Sequence, residues 1–323
     1  CQEPRRAGGA RTVTAFDFRH PEVTGAVCRA LDEDIGTGDI TSKCCVPEER
    51  RARGWFVSRQ PMVVAGVELL PLVYEHRGGV ESLELKLASG DRAADGQLVA
   101  EVEGRARTLL ECERTALNFL QRLSGVATVA RRYVEAVQGT RCQILDTRKT
   151  TPGLRRLEKM AAAAGGVTNH RLGLFDAVLI KNNHIAAAGG VRAALERFAD
   201  CALEVEIEVR TRAELEEALS CGARHLLLDN LTPAGAADWI GVIAGRATAE
   251  LSGGITLDTA RAYAEAGADF VSVGAITHSA VAVDINFRPS QVPRSEAPLD
   301  PLLPAGALAA GIIIFAAAGH RRR

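Results

Sequence analysis

The chain has almost no net charge and very little aromatic content. Its 39 Lys and Arg balance 40 Asp and Glu to a formal −1, and Phe, Trp and Tyr make up 4% of 323 residues. A neutral chain has no electrostatic reason to bind nucleic acid or membrane surfaces in a general way. Cysteine is present, at positions 1, 28, 44, 45, 112, 142, 201 and 221, but no C-x-x-C pair occurs. The adjacent Cys44 and Cys45 suit neither a structural zinc nor an ordinary disulfide, so the thiols read as free, buried and kept reduced in a cytoplasmic setting. A Walker A sequence is missing, and G-T-G-D-I-T lacks the third glycine of a dinucleotide fingerprint. No charged stretch followed by an apolar one opens the chain, so a secretory signal is not expected. Residues 1–15 read as a disordered leader and 291–323 as a low-complexity tail. The uncharged run at 302–319 is rich in Ala and Gly, which insert weakly into lipid, so an appendage is expected there and not a membrane anchor.

With 47% of residues of hydrophobic type, the chain can bury a large core, and its length suits one large domain and a smaller one. Residues 17–42 carry a helical pattern that ends at the turn D-I-G-T-G-D-I-T-S. Runs of β character follow at 54–58, 63–67, 82–87 and 97–102, punctuated by Gly and Asp turns as in an antiparallel sheet. From 108 the period becomes helical, with Leu109, Leu110, Ala116, Leu117, Leu120 and Leu123 on one apolar face and Arg114 opposite. After Gly139, short apolar runs (142–146, 177–181, 203–209, 225–229, 247–251, 269–273) alternate with amphipathic segments, which predicts consecutive βα units. Polar residues end nearly every run. A parallel βα barrel is therefore favoured over an open sheet, because a barrel gathers those ends at one face.

The strand-end residues predicted in this way are Arg148, Lys149, Lys181, Glu208, Asp229, Ser252 and Gly274. Between positions 146 and 181 seven cations stand against three acids, a local concentration in a neutral chain. Such a cleft suits a small polyanion. Glu208 and Asp229 are too few and too hard for zinc but suit a water-bridged Mg2+ that also takes substrate phosphate oxygens. The Gly-rich turns at Ser252, Gly253 and Gly254, and at Gly274 and Ala275, could cradle a phosphate monoester after the last two strands. His170, beside Arg171, is a site candidate. His184 and His278 are as suited to structural hydrogen bonds as to ligand roles, and His20, His76 and His225 read as ordinary.

Together, E-R-T-A-L-N-F-L-Q-R-L-S-G-V-A-T, T-R-K-T-T-P-G-L, H-R-L-G-L-F-D, I-K-N-N-H-I, V-E-I-E-V, L-L-D-N, S-G-G-I-T and V-G-A-I-T-H-S resemble the quinolinate phosphoribosyltransferase family over positions 30 to 287. The resemblance implies an N-terminal α/β sandwich (16–125), an incomplete parallel α/β (TIM-like) barrel (126–280) and a terminal strand at 281–290 returning to the first domain. It implies decarboxylating transfer of phosphoribosyl to quinolinate in NAD biosynthesis, by homodimers with shared sites. Arg148, His170, Arg171 and Lys181 match residues that hold the pyridine dicarboxylate, and Arg114 matches one that reaches the partner subunit's site. Lys149, Glu208 and Asp229 match the groups around the ribose and magnesium pyrophosphate, with Thr150 beside them. Ser252, Gly253, Gly254, Gly274, Ala275 and Ile276 match the 5-phosphate cradle. One departure is visible, Asn182 in place of the family's usual Asp. Three other readings stay open: a related transferase with another anionic substrate, a Schiff-base aldolase using Lys181, and a scaffold tethered through 302–319.

Overall fold

A computed structural model of the chain describes residues 16–291. The expected leader, and the expected tail beyond Gln291 with its uncharged run, lie outside the described residues. Helix α1 (Pro21–Ile35) starts with Pro at its first position and with His20 accepting from the Glu22 amide, so one of the early histidines is a helix cap. It stops at Gly36, whose φ of 52° leaves the helical region. The single helix expected over 17–42 is in fact two. Asp39 accepts from the Ser42 amide and starts α2 (Ile40–Cys45), so I-T-S lies inside a helix and not in the turn.

Strand β1 (Arg51–Ser58) pairs antiparallel with β5 (Leu98–Arg105), after β2 (Met62–Val63), α3 (Leu70–Glu75), β3 (Ser82–Leu85) and β4 (Arg92–Ala93). The run expected as a strand at 63–67 gives only the short β2, because Gly66, at φ 85°, turns the chain into a tight helical turn over Val67–Leu69. β3 pairs with the other edge of β5, and β2 pairs with β4 in a separate ribbon. A 31-residue helix, α4 (Ala106–Ala136), follows β5 directly. At 1.5 Å per residue it is about 46 Å long. It packs on α1, α3, β1 and β5 and also on β6 (Gln143–Leu145) and α5 (Arg155–Ala164). The junction at 125/126 therefore lies within one continuous helix, and Leu109, Cys112, Ala116, Leu120, Leu123 and Ala127 form its buried stripe.

The remaining elements alternate as expected: β7 (Val178–Ile180), α6 (Asn182–Ala188), α7 (Val191–Glu196), β8 (Val205–Val209), α8 (Arg212–Ser220), β9 (His225–Asp229), α9 (Pro233–Ile243), β10 (Thr248–Ser252), α10 (Leu257–Glu265), β11 (Phe270–Ser272) and α11 (Ala275–His278). Six strands form one parallel sheet in the order β6-β11-β10-β9-β8-β7, so first and last strands are neighbours, as in a barrel. A single bridge from Leu145 to Thr168 is all that extends β6 toward β7. The barrel is incomplete, and its seam is there. β12 (Ile285–Gln291) leaves the barrel and pairs with β1 over seven residues.

Period-two alternation sends Ile207, Val209, Leu226, Leu228, Ala249 and Leu251 toward the outer helices, all fully buried or nearly so. Glu206, Glu208, Leu227, Asp229, Glu250 and Ser252 share the opposite, inner face. Cys112 and Cys142 are buried, which pushes both thiols up to about 12 and makes them packing groups, not nucleophiles.

Gly125 lets the chain return to β1. A Cβ there would lie 2.2 Å from the Val281 carbonyl oxygen and 3.2 Å from Ala282 Cα. Ala normally stabilises a helix over Gly by about 1 kcal/mol, but here it meets fixed backbone, where overpacking costs about 1–3 kcal/mol. Gly125→Ala is expected to lower Tm by about 2–6 °C. A thermal melt showing an unchanged or higher Tm would contradict this close packing.

Candidate active site

The face formed by the C-terminal ends of the barrel strands gathers most of the predicted residues. After β6, Asp146 is fully buried and accepts from Lys159 Nζ (2.5 Å), Asn169 Nδ2 (2.8 Å) and the His170 amide (2.8 Å). Lys159 also donates to the His170 carbonyl at 2.9 Å. Burial raises the Asp146 carboxyl and lowers the Lys159 ammonium, while each opposes the shift of the other. Lys159, counted with the cleft cations on sequence grounds, is therefore an internal partner. Arg155 is inward too, donating to Thr150 Oγ1 and to the carbonyls of Arg148 and Leu172, and Arg156 pairs with Glu22.

Arg148 and Arg171 remain. Arg171 is buried and donates to the Ala177 carbonyl at 3.2 Å. Burial, and then the neighbouring Arg148, lower its guanidinium below the usual range. Arg148 Nε is buried with no partner. Among the described residues neither arginine forms an ion pair with an acid. Two such cations side by side leave a site that an external anion must satisfy.

Both His170 ring nitrogens face inward. Nδ1 accepts from the Arg171 amide at 2.7 Å, which places the proton on Nε2, and Nε2 faces Glu206 Oε2 at 3.3 Å and Glu250 Oε2 at 3.6 Å. His170, Glu206 and Glu250 are close enough to surround a metal ion. The proton on Nε2 leaves that nitrogen no lone pair for one, so the group is better described as a proton-holding layer beneath the cleft. Burial, and then Glu206, push the Glu250 carboxyl well above the usual range. Neither acid was singled out in the sequence, although alternation in V-E-I-E-V puts Glu206 on the face of Glu208, one layer deeper.

Lys181 Nζ lies 3.8 Å from Glu208 Oε2, across β7 and β8. Its partner is thus a strand-end acid, and Asn182 makes no hydrogen bond to the ammonium. The Lys181 amide donates to His184 Nδ1, a structural role for that histidine. Asp229 accepts from Ser252 Oγ and Asn230 Nδ2, both at 2.7 Å. Gly253, at φ 100°, sits so close to Asn230 that a Cβ would be 2.8 Å from its amide nitrogen, whereas Gly254, at φ 59°, faces open space. Lys149 is exposed, and its side chain runs beside Gly274, where a Cβ would meet its Cδ at 3.0 Å. Thr277 Oγ1 donates to the Lys149 carbonyl, joining the start of α11 to the T-R-K segment. Thr150 accepts from Arg155, and Ala275 and Ile276 open α11, with the Ile276 side chain fully buried.

Arg122, another residue that sequence reasoning passed over, fastens the rim from behind. Its guanidinium donates to buried Glu158 at 3.0 and 2.7 Å and to the carbonyls of Thr277 and Ala280. A buried Glu158 on α5 required a cation, and that was the available signal. Arg114 is not brought into the cleft by its own chain. It is exposed on α4, where Cys112 and Thr115 bond to Val73 and Ala30 of the N-terminal helices. A surface cavity of about 440 Å³, lined by Arg92, Arg131 and Thr168 among others, lies apart from the strand ends.

Family models match nearly all of the described chain. Residues 39–124 match the quinolinate phosphoribosyl transferase N-terminal domain and 126–288 its C-terminal domain. The chain belongs to the quinolinate phosphoribosyltransferase family. It is 42% identical over 267 residues to the nicotinate-nucleotide pyrophosphorylase [carboxylating] of Mycobacterium leprae, covering 80% of this chain and 94% of that protein. It is 37% identical over 294 residues to quinolinate phosphoribosyltransferase [decarboxylating] 1 of Nicotiana glauca, with 83% of each covered. The solved nicotinate-nucleotide pyrophosphorylase of Francisella tularensis superposes with a TM-score of 0.80 at 35% identity, over 83% of this chain and 96% of that one. The sandwich and incomplete barrel are therefore the fold of this family, and the chain is an enzyme of it. No helix among the described residues is long and apolar enough to cross a membrane.

Glu250 gives a test of the inner layer. A carboxyl whose native pKa exceeds its unfolded one binds more protons in the native state, so stability falls as pH rises from the unfolded value toward the native one. A tenfold difference in proton affinity corresponds to about 1.4 kcal/mol. Glu250→Gln cannot ionise. Its Tm is expected to fall less steeply than that of wild type between pH 5 and 9, with the larger gain at high pH. Parallel Tm profiles for the two proteins would show that Glu250 is not held protonated.

Proposed function

We propose that this chain transfers phosphoribosyl from phosphoribosyl pyrophosphate to quinolinate with loss of carbon dioxide, giving nicotinate mononucleotide and pyrophosphate. The two names carried by its relatives describe that reaction in opposite directions. The unpaired Arg148–Arg171 couple is the observation that carries the assignment. It offers planar forks, suited to carboxylates, in a cleft where no acid of the described chain forms an ion pair with them. Lys181 adds a third cation on the side of Glu208. His170 acts by fixing the Arg171 backbone, since its own ring nitrogens are engaged below the cleft.

Bond by bond, the pyridine nitrogen attacks C1 of the ribose while pyrophosphate departs with the electron pair of the C1–O bond. The ring, now a pyridinium, accepts the electrons of its bond to the C2 carboxylate, carbon dioxide leaves, and C2 takes a proton. No protein nucleophile is needed. Glu208 and Asp229 place negative charge where C1 becomes oxocarbenium-like, and Lys149 lies where it can meet the leaving group. The turn of Ser252, Gly253 and Gly254 and the start of α11 at Gly274, Ala275 and Ile276, with Thr150 near them, form the 5-phosphate cradle. Glu208 and Asp229 offer hard oxygen donors, which suit Mg2+ held through water. When bound, the metal neutralises charge on the leaving pyrophosphate. The free thiols of the described cysteines suit a reducing, cytoplasmic compartment.

Carbon dioxide release from quinolinate, phosphoribosyl pyrophosphate and Mg2+ is the assay, with nicotinate in place of quinolinate as control. Release with quinolinate is expected. A protein that couples nicotinate but not quinolinate would refute the substrate assignment.

Arg114 completes the site of a partner subunit in a homodimer, a reading supported by its exposure and its lack of an ion pair among the described residues. Arg114→Ala and Lys181→Ala should each be nearly inactive. Co-expressed, they should recover up to about a quarter of wild-type activity, because random pairing of two subunit types makes half of the dimers mixed, each with one intact site. Mixed dimers that form and stay inactive would rule out the shared site.

A further inference from the structure

Arg210 follows β8 and stands two residues beyond Glu208. Its Nε and Nη2 lie 2.9 and 2.8 Å from Glu208 Oε1, and Nη2 lies 3.7 Å from Asp229 Oδ2. The guanidinium thus spans the two carboxylates assigned above to the metal. Exposure differs sharply across this contact: the Glu208 side chain is 4% exposed and that of Arg210 49%. Glu208 cannot turn to solvent, and a buried carboxylate without a cation is costly. Lys181 Nζ, at 3.8 Å, is too far to bond it directly. Arg210, in contrast, already has about half of its side chain in solvent and can withdraw into water.

We propose that Arg210 is a tethered counter-cation for Glu208 and Asp229 in the ligand-free enzyme, displaced when a divalent cation arrives with a pyrophosphate-bearing substrate. This rests on the reading of that acid pair as the metal-facing one. The pair carries two negative charges, and Arg210 removes half of that charge before any metal is present. A metal entering alone must compete with a cation that cannot diffuse away. Its apparent affinity falls by the fraction of time the acids are free, so an arginine in place about nine-tenths of the time weakens binding about tenfold. Pyrophosphate alters the competition. It brings its own negative charge for the metal to bridge, and its oxygens can take the released guanidinium fork. Metal binding in this enzyme is then ordered, weak to the free protein and tight in company with the polyanion.

Mn2+ can stand in for Mg2+, its free concentration read from its electron paramagnetic resonance signal. Four ligand-free proteins are titrated: wild type, Arg210→Gln, Arg210→Lys and Arg212→Gln. Arg212 pairs with Glu216 and Asp238, so its variant removes the same charge nearby without touching the acid pair. Arg210→Gln should bind Mn2+ about tenfold more tightly than wild type. Arg210→Lys, which keeps the charge without the fork, should fall between them, and Arg212→Gln should match wild type. Inorganic pyrophosphate should close the gap. Glu208→Gln reports on the acid itself and should bind least. The proposal is overturned by equal Mn2+ affinity of wild type and Arg210→Gln, by equal tightening in Arg212→Gln, by no measurable binding to either Arg210 form, or by a gap that persists with pyrophosphate. Tightening in Arg210→Gln, with no carbon dioxide released by wild type from quinolinate, would fault the substrate assignment and leave this role of Arg210 standing.

Discussion

The buried carboxylate of Asp146 joins the three segments on which the cleft depends. It closes β6, and through Lys159, Asn169 and the His170 amide it ties that strand end to α5 and to the H-R segment. Arg148 lies two positions beyond Asp146, and Arg171 one beyond His170. A single carboxylate thus sets the separation of the two arginines. Burial works against its charge, so the arrangement holds only while all its partners are in place. Breaking such a pair from one side costs about 3–5 kcal/mol. Arg122 and Glu158 repeat the device behind the cleft, joining α4, α5 and the start of α11 through one guanidinium.

The cations of this region divide into two populations. Lys159, Arg155, Arg156 and Arg122 have partners within the protein and act as fasteners. Arg148, Arg171, Lys149 and Lys181 face the cleft with weak partners or none. The acids divide in the same way: Glu158 and Asp146 are structural, Glu206 and Glu250 form a layer under the cleft, and Glu208 and Asp229 stand at the rim. A neutral chain can therefore keep a cationic pocket, because its structural acids are taken up by fastening cations and not by Arg148 and Arg171.

Much of this was legible in the sequence. Six strands fell where apolar runs ended in polar residues, because period-two alternation and a common C-terminal face leave that mark in any βα barrel. The strand-end residues named from it do meet at one face. Three things were not legible. Local composition cannot tell a cation that faces a cleft from one that faces a buried acid, so Lys159 and Arg155 were counted with the wrong group. His170 was expected to hold the pyridine dicarboxylate, but its ring turns inward, in a tautomer that depends on the Arg171 amide and on acids two strands away. Arg210 looks like a solvated loop charge until the fold puts Asp229 beside Glu208. The break between α1 and α2 was visible as Gly36 and Gly38, yet only the Asp39 cap shows that the chain resumes a helix after it.

Arg148 and Arg171, without an ion pair among the described residues, form the proposed carboxylate site for a pyridine dicarboxylate. A calorimetric titration of quinolinate into wild type and into Arg171→Ala tests it most directly, with melting curves to confirm that both proteins are folded. Loss of one charge-assisted contact corresponds to about 1.5–3 kcal/mol, so the variant should bind quinolinate about one to two orders of magnitude more weakly. Equal affinity in the two proteins would contradict the account.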